Sequence, residues 1–105
     1  ELLILKALSW DSAHGYGVAR WIQDATDDAL RVEEGSLYPA LHRMKAKGWV
    51  ESEWGVSENN RRAKFYRLTA EGRAQLREKT RGWDRIVEVV GMALSAPEHP
   101  RKEGT

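Results

Sequence analysis

The sequence predicts a mainly α domain with one small β-hairpin, a winged helix-turn-helix that continues into a long C-terminal helix. Three observations carry this expectation. Three short helical segments precede Gly48, two aromatic-rich β-like segments then flank a polar loop with a basic end, and a final apolar seam runs for about seven helical turns. The expected division is a winged helix-turn-helix over residues 1–69, a dimerisation helix over 70–95 and a disordered tail over 96–105.

The first element is the run Leu2, Leu3, Ile4, Leu5, Ala7 and Leu8. It is too dense for periodicity to decide, but its good helix formers and scarce β-branching favour a helix. The chain opens at Glu1, without Met and already inside this run, and is expected to lack a few native residues. Asp11-Ser12 breaks the helix. From His14 to about Ala25 the apolar positions Val18, Ala19, Ile22 and Ala25 recur at three and four, giving a second helix whose Gly15 and Gly17 allow close packing. Asp27-Asp28 leads into Leu30-Arg31-Val32, read as a short strand.

The third helix takes Ser36 as its N-cap and holds Pro39 in its first turn, where an amide has no intrahelical acceptor to lose. Gly48 is a natural stop. Trp49 to Trp54, with Val50, Ser52 and Trp54 on one face, and Ala63 to Leu68 read as strands, joined by a Gly, Ser and Asn connection that ends in Arg61-Arg62. Thr69 then caps the last helix, with Glu71 in the first turn where the helix dipole favours an anion. From Ala70 to about Ser95 that helix spans roughly 39 Å. Its seam of Leu76, Thr80, Trp83, Val87, Val90 and Leu94 alternates steps of four and three, as in a coiled coil. The remainder has two prolines, many charges and no aliphatic cluster, too little to bury for a fixed structure.

Composition narrows the function classes. The 105 residues are 41% apolar with five Trp, enough for one modest core. The net charge of +1 conceals opposite blocks: residues 1–35 carry 3 basic and 7 acidic side chains, residues 36–82 carry 11 and 5, and residues 83–105 carry 3 and 4. A cationic middle suits a polyanion. With no Cys, disulfides and thiolate metal sites are excluded. No stretch approaches the roughly 20 apolar residues of a membrane span and no signal peptide is recognisable, so a soluble cytoplasmic protein is expected.

The third helix divides into two faces. Leu37, Leu41 and Met44 make a core stripe, leaving Ser36, Tyr38, Pro39, His42, Arg43, Lys45 and Lys47 for a partner. In a helix-turn-helix this outer face meets the major groove of double-stranded DNA, with Arg43 the candidate for a guanine edge and the Tyr38 hydroxyl for a phosphate. Tyr38 also suits a satisfied core tyrosine, and Pro39 also suits a residue that only fixes the start of the helix. Arg61, Arg62, Lys64, Tyr66 and Arg67 of the hairpin would grip the backbone or an adjacent minor groove, a salt-dependent contact through counterion release. His14 suits a local cap as well as it suits a functional role. Catalysis has little support: His14, His42 and His99 have no ligand spacing, and Gly35-Ser36-Leu37 lacks the following Gly of a nucleophile elbow. No catalytic residue, metal ligand or cofactor is assigned. The same basic surface also suits an acidic protein, so a winged-helix interaction module without specific DNA binding stands as the alternative.

Together, "HGYGVARWI", "EEGSLYPALHRMKAKGWVESEW" and "RRAKFYRLTAEG" resemble the PadR family of bacterial transcriptional regulators, over most of residues 1–73. The resemblance implies a homodimeric repressor on an inverted-repeat operator, with the long C-terminal helices packed against each other. Leu3, Leu76, Trp83, Val87, Val90 and Leu94 are then the dimerisation residues. Short family members of this kind sense small aromatic effectors near the dimer interface, and Trp10, Trp83 and Met92 are the candidate lining here, beside a reading of Trp83 as dimer packing alone.

Overall fold

The computed structural model describes residues 1–98. Its elements in chain order are α1 (Leu2–Ala7), β1 (Ala13–His14), α2 (Gly15–Ala25), α3 (Glu34–Ala46), β2 (Val50–Val56), β3 (Arg62–Leu68) and α4 (Ala70–Leu94). The strands form one antiparallel sheet in the order β1-β3-β2. This is the expected mainly helical winged-helix architecture with one strand added to the hairpin. Of the expected tail, residues 99–105, His99 included, lie outside the described residues.

One apolar cluster joins α1, α2, α3 and the inner face of the sheet. Leu5, Leu8, Val18, Ile22, Leu37, Leu41, Met44 and Val50 are almost fully buried, and no polar or charged residue among the described ones is buried with them. At about 1.5–3 kcal/mol per buried side chain, this cluster is the main source of stability. The α3 stripe of Leu37, Leu41 and Met44 is inside, as the helical period requires.

Local chemistry sets the ends of each element. His14 is the N-cap of α2, its Nδ1 accepting a hydrogen bond from the Gly17 amide at 3.0 Å. At the other end Asp27 and Asp28 adopt positive φ of 53° and 66°, and the Asp28 amide reaches back to the Gln23 carbonyl at 2.8 Å. The Leu30 amide donates to Thr26 Oγ1 at 3.1 Å. These bonds correct the expected strand at Leu30–Val32: the segment closes α2, while the sheet edge it would have needed is taken by Ala13 and His14, paired with Tyr66 and Phe65.

The start of α3 also differs from expectation. Glu33 is the N-cap, and its carbonyl accepts from both the Ser36 and Leu37 amides at 2.9 Å. Ser36 therefore lies within the first turn and caps nothing, and Pro39 falls in the second turn, where the helix forgoes the bond from residue 39 to the Gly35 carbonyl. Gly35 is exposed, so water can satisfy that carbonyl and limit the cost. Gly48, at φ 80°, ends the helix with two back-bonds, Gly48 amide to Lys45 carbonyl and Trp49 amide to Met44 carbonyl.

The hairpin strands run further than the sequence suggests, to Val56 and from Arg62. Their turn is closed by the Asn60 amide bonding the Ser57 carbonyl, with Asn60 itself at φ 59°. Thr69 caps α4 as expected, accepting from the Gly72 amide at 3.0 Å. Its hydroxyl donates to the Gly48 carbonyl at 2.6 Å and its amide to the Trp49 carbonyl at 3.0 Å. A Cβ on Gly72 would lie 2.0 Å from the Trp49 oxygen, so only glycine fits there. Leu76 packs on the core and Lys79 Nζ lies 5.2 Å from the Trp49 ring centre; beyond that turn α4 projects alone, drawing the molecule out to 67 Å.

Gly72→Ala is expected to destabilise the fold by at least about 2 kcal/mol, because backbone rather than a flexible side chain must move. Gly82→Ala, whose Cβ meets nothing within 4 Å in the same helix, is expected to stabilise by about 0.5–1 kcal/mol. Urea unfolding of the two variants checks the contrast.

Candidate nucleic-acid interface

Helical phase sorts the exposed side chains of α3 into three lines. Tyr38, His42 and Lys45 stand on the flank that faces the hairpin, where they border a concavity with Ala46, Lys64 and Tyr66. Gly35, Pro39 and Ala46 follow the outermost line, and all three are exposed. Ser36, Arg43 and Lys47 lie on the far flank, with Arg43 Nε and Lys47 Nζ 3.8 and 3.6 Å from the Glu1 carboxylate.

Strand alternation sorts the hairpin in the same way. Arg62, Lys64 and Tyr66 share the face turned to α3, while Phe65 and Arg67 turn outward. Arg67 sits opposite Glu51 in register, and its Nη2 is 3.4 Å from that carboxylate. It therefore stands apart from the cationic group formed by Arg61, Arg62 and Lys64. Trp54, 57% exposed, carries Arg62 Cζ at 4.5 Å and Lys64 Nζ at 5.6 Å from its ring centre. Lys45 Nζ donates to Ser52 Oγ at 2.8 Å and ties α3 to β2.

A second concavity of about 520 Å³ continues the first toward the start of α2 and the wing loop. His14, Gly15 and Tyr16 border it on one side, Trp54, Glu58, Arg61 and Arg62 on the other, and Tyr38 and Tyr66 at the junction. Tyr38 lies across Gly15: a Cβ on that glycine would be 2.6 Å from the Tyr38 oxygen and 2.7 Å from its ring. Gly15, Trp54 and the first residues of α2 border this cleft without having been among the sequence-predicted contact residues, although Gly15 is signalled by its place at the start of a helix.

Tyr66 is not an exposed contact residue. It is 8% exposed and belongs to the core cluster, so its ring is structural, while the residue borders both concavities. Burial raises its pKa above the usual tyrosine value, and Tyr38 adds to the shift. The folded environment thus extends upward the pH range over which the phenol stays neutral.

The residues assigned to dimerisation lie along an uncovered surface. Trp83, Val87, Val90 and Leu94 are about half exposed or more, and Leu3 is exposed on α1, whereas Leu76 is partly buried against its own core. Trp10 packs on Trp21 at 5.4 Å with Lys6 Nζ 4.7 Å above its ring. The depression that Trp10 borders is shared with Leu8, Asp11, Ser12, Glu53, Arg67, Leu68 and Arg73, and neither Trp83 nor Met92 reaches it. Among the described residues no group of His, Asp and Glu is placed to hold a metal ion, and no helix is long and apolar enough to cross a membrane.

The chain matches the model of the transcriptional regulator PadR-like family over residues 4–78. It is similar to the transcriptional regulator Rv3488 of Mycobacterium tuberculosis, with 34% identity over 106 residues that cover 100% of this chain and 92% of that protein. Among solved structures it resembles a PadR family transcription regulator from Clostridium difficile R20291, with 31% identity, a TM-score of 0.76, and 90% and 96% of the two chains covered. A transcriptional regulator from Clostridium thermocellum superposes with a TM-score of 0.78 at 28% identity, over 87% of this chain and 88% of that one.

The raised Tyr66 pKa has a definite sign. A neutral form favoured by folding contributes stability that is fully present below the unfolded tyrosine pKa of about 10 and is lost as pH rises through the folded value. The stability difference between the wild type and Tyr66→Phe, followed by denaturant melts, is expected to stay flat to about pH 9 and to shift against the wild type above pH 10.

Proposed function

The chain belongs to the PadR-like family of transcriptional regulators, and we propose that it is a repressor that binds a pseudo-palindromic operator as a homodimer and answers to a small aromatic effector. The observation that carries this reading is the convergence of Lys45 from α3 with Arg61, Arg62 and Lys64 from the hairpin on one cleft beside an exposed helix face. Cations from two distant segments on a single concave surface suit a regular polyanion.

In this reading α3 enters the major groove along its Gly35–Pro39 line, with Ser36 and His42 on either side. Arg43 reaches for a base edge. Its ion pair with Glu1 is exposed and weak, about 0–1 kcal/mol, and yields readily to a guanine or a phosphate. Arg61, Arg62 and Lys64 follow the backbone from the wing. The winged domain of residues 1–69 then supplies the DNA contacts, and the helix of residues 70–95 supplies the dimer. The uncovered stripe of Trp83, Val87, Val90 and Leu94 supports this, since an apolar helix face of that length calls for a cover. A two-fold dimer sets its recognition helices about one DNA turn apart, roughly 34 Å, and so reads a palindrome. Repression is steric, by occupation of the promoter. An effector at the dimer interface, with Trp83 and Met92 on α4 as its candidate lining and Trp10 apart from them in a separate depression, would act by favouring a spacing that fits the operator poorly.

Wild type is expected to bind promoter duplex with a steep salt dependence, and Arg61→Ala/Arg62→Ala to lower the slope of log affinity against log salt by about 1.8. Fluorescence anisotropy at several salt concentrations measures this; absence of binding at low salt points instead to a protein-interaction module. Sedimentation is expected to give a dimer of the 12.0 kDa chain, and Val87→Asp/Val90→Asp a monomer. Phenolic acids and planar aromatic dyes, titrated while Trp fluorescence is followed, test the effector: if no compound alters operator affinity, that part of the reading is withdrawn.

A further inference from the structure

We propose that the depression bordered by Trp10, where the end of α1, the sheet and the start of α4 meet, is a binding site for a free aliphatic α-amino acid, held as its zwitterion. It shares no residue with the cleft between α3 and the wing or with the apolar stripe of α4. The site therefore rests on neither the DNA reading nor the dimer.

Asp11 and Glu53 bring two carboxylates to the rim, and Arg67 and Arg73 bring two guanidinium groups. Opposite charges around one small space would be expected to close on each other, yet among the described residues Asp11, Glu53 and Arg73 enter no ion pair. Other contacts hold them. Arg73 Nη1 donates to the Ser9 carbonyl at 3.1 Å, Asp11 Oδ1 accepts the Ser12 amide at 2.8 Å, and Arg67 Nη2 turns to Glu51 at 3.4 Å. Glu53 stands opposite Phe65 in register, so strand pairing puts no cation directly across from it. Two poles of opposite sign thus border one space without cancelling. A polyanion would be repelled by the carboxylates and a simple cation by the guanidinium groups, whereas a molecule carrying both signs satisfies both.

The remaining lining is apolar. Leu8 and Leu68 are core residues that border the depression, and Trp10 stands beside them. The indole is 64% exposed but held in place, with the Trp21 ring centre at 5.4 Å and Lys6 Nζ at 4.7 Å. An ordered ring left largely in water offers apolar area that an aliphatic side chain would cover. The space is about 240 Å³, below the roughly 300–1,000 Å³ of sites for drug-sized molecules, so its ligand is small. In the proposed complex the ammonium group meets Asp11 and Glu53 and the carboxylate meets Arg73, whose guanidinium keeps donors free beyond the one on Ser9. The side chain lies on Trp10, Leu8 and Leu68. Such an occupant ties the segment after α1 to both hairpin strands and to the first turn of α4.

The test is an NMR titration of the full chain without DNA, following the indole N–H signal of Trp10, which is assigned by its loss in Trp10→Phe. L-leucine is expected to shift that signal saturably in the millimolar range. Isocaproate, which is leucine without its amino group, and isoamylamine, which is leucine without its carboxylate, are each expected to bind at least about tenfold more weakly. Asp11→Asn/Glu53→Gln is expected to erase the preference for leucine over isocaproate, and Arg73→Gln the preference over isoamylamine. A purely structural role for these side chains would leave the ranking of the three ligands unchanged. Trp10→Ala, on an exposed ring, is expected to weaken leucine binding as followed by saturation-transfer signals of the ligand, and serves should the charge variants lower the melting midpoint. L-leucine, L-valine and L-alanine that all leave the Trp10 signal unmoved at millimolar concentration overturn the site. Isocaproate or isoamylamine binding as well as leucine overturns the zwitterion, as does a leucine preference that survives in folded Asp11→Asn/Glu53→Gln or leucine binding undiminished in Trp10→Ala.

Discussion

The carbonyl of Trp49 is the point on which the arrangement of the helices depends. It accepts the Thr69 amide at 3.0 Å, and it occupies the space that any side chain at residue 72 would need. One residue earlier, the Gly48 carbonyl takes the Thr69 hydroxyl at 2.6 Å, and that oxygen in turn caps the Gly72 amide. The end of α3, the start of β2, the end of β3 and the start of α4 thus meet within a few ångströms of backbone. Most of these contacts are between main-chain atoms or to a single short side chain, so the angle between α3 and α4 has little freedom. Gly48 at φ 80° and Gly72 without a Cβ are the two sequence choices that permit it.

The rest of the structure divides its labour accordingly. Among the described residues the buried side chains form an apolar core, and the charged groups lie outside it. Around the cleft, cations are held mainly by neutral groups: Arg62 and Lys64 over the Trp54 ring, and Lys45 on the Ser52 hydroxyl. A cation placed over an aromatic face keeps its full charge and loses no carboxylate partner when a polyanion arrives. Arg67, by contrast, is paired with Glu51 on the outer face of the sheet. Four cations, Lys45, Arg61, Arg62 and Lys64, thus share one cleft with no ion pair among the described residues, although the chain as a whole carries only +1. An ordered cation also surrenders less rotamer freedom on binding than one free in solvent.

Much of this is legible in the sequence where a short-range rule decides. The period of Leu37, Leu41 and Met44 separates the faces of α3, Gly48 terminates it, and Thr69 caps α4; each depends on residues within one or two turns. The misreadings arise where two local signals compete or where a distant partner decides. Glu33 and Ser36 both precede the apolar stripe, and a Pro in the second turn is tolerated because the carbonyl it leaves unbonded belongs to exposed Gly35. Ala13 and His14 become a strand only because β3 offers an edge 50 residues further on, which also removes the place for a strand at Leu30–Val32. Tyr66 looks like one more member of a basic aromatic run. The register of β3 turns it inward beside Leu68, while Lys64 on the same face reaches the rim. The cleft itself, with Gly15 beneath Tyr38, exists only once α2, α3 and the hairpin are assembled.

The isolated stretch of α4 bears on how the proposed regulator would work. From Thr80 to Leu94 the helix extends about 21 Å at 1.5 Å per residue, with its apolar stripe uncovered. Helices of that length gain little stability from propensity alone, so a covering partner and the order of this stretch are linked. In the proposed dimer the crossing of two such helices fixes where each winged domain sits. Any change in that crossing passes to α3 through the Trp49 and Gly72 contact, with no flexible loop between to absorb it. The same rigid junction that holds the domain together would then convert an event among the α4 side chains into a displacement of the recognition helices. Because the cleft is preorganised and the operator spacing is set by the DNA, that displacement acts as a mismatch between two stiff bodies. In that proposal, an effector with different affinities for the two spacings would shift the population off the operator.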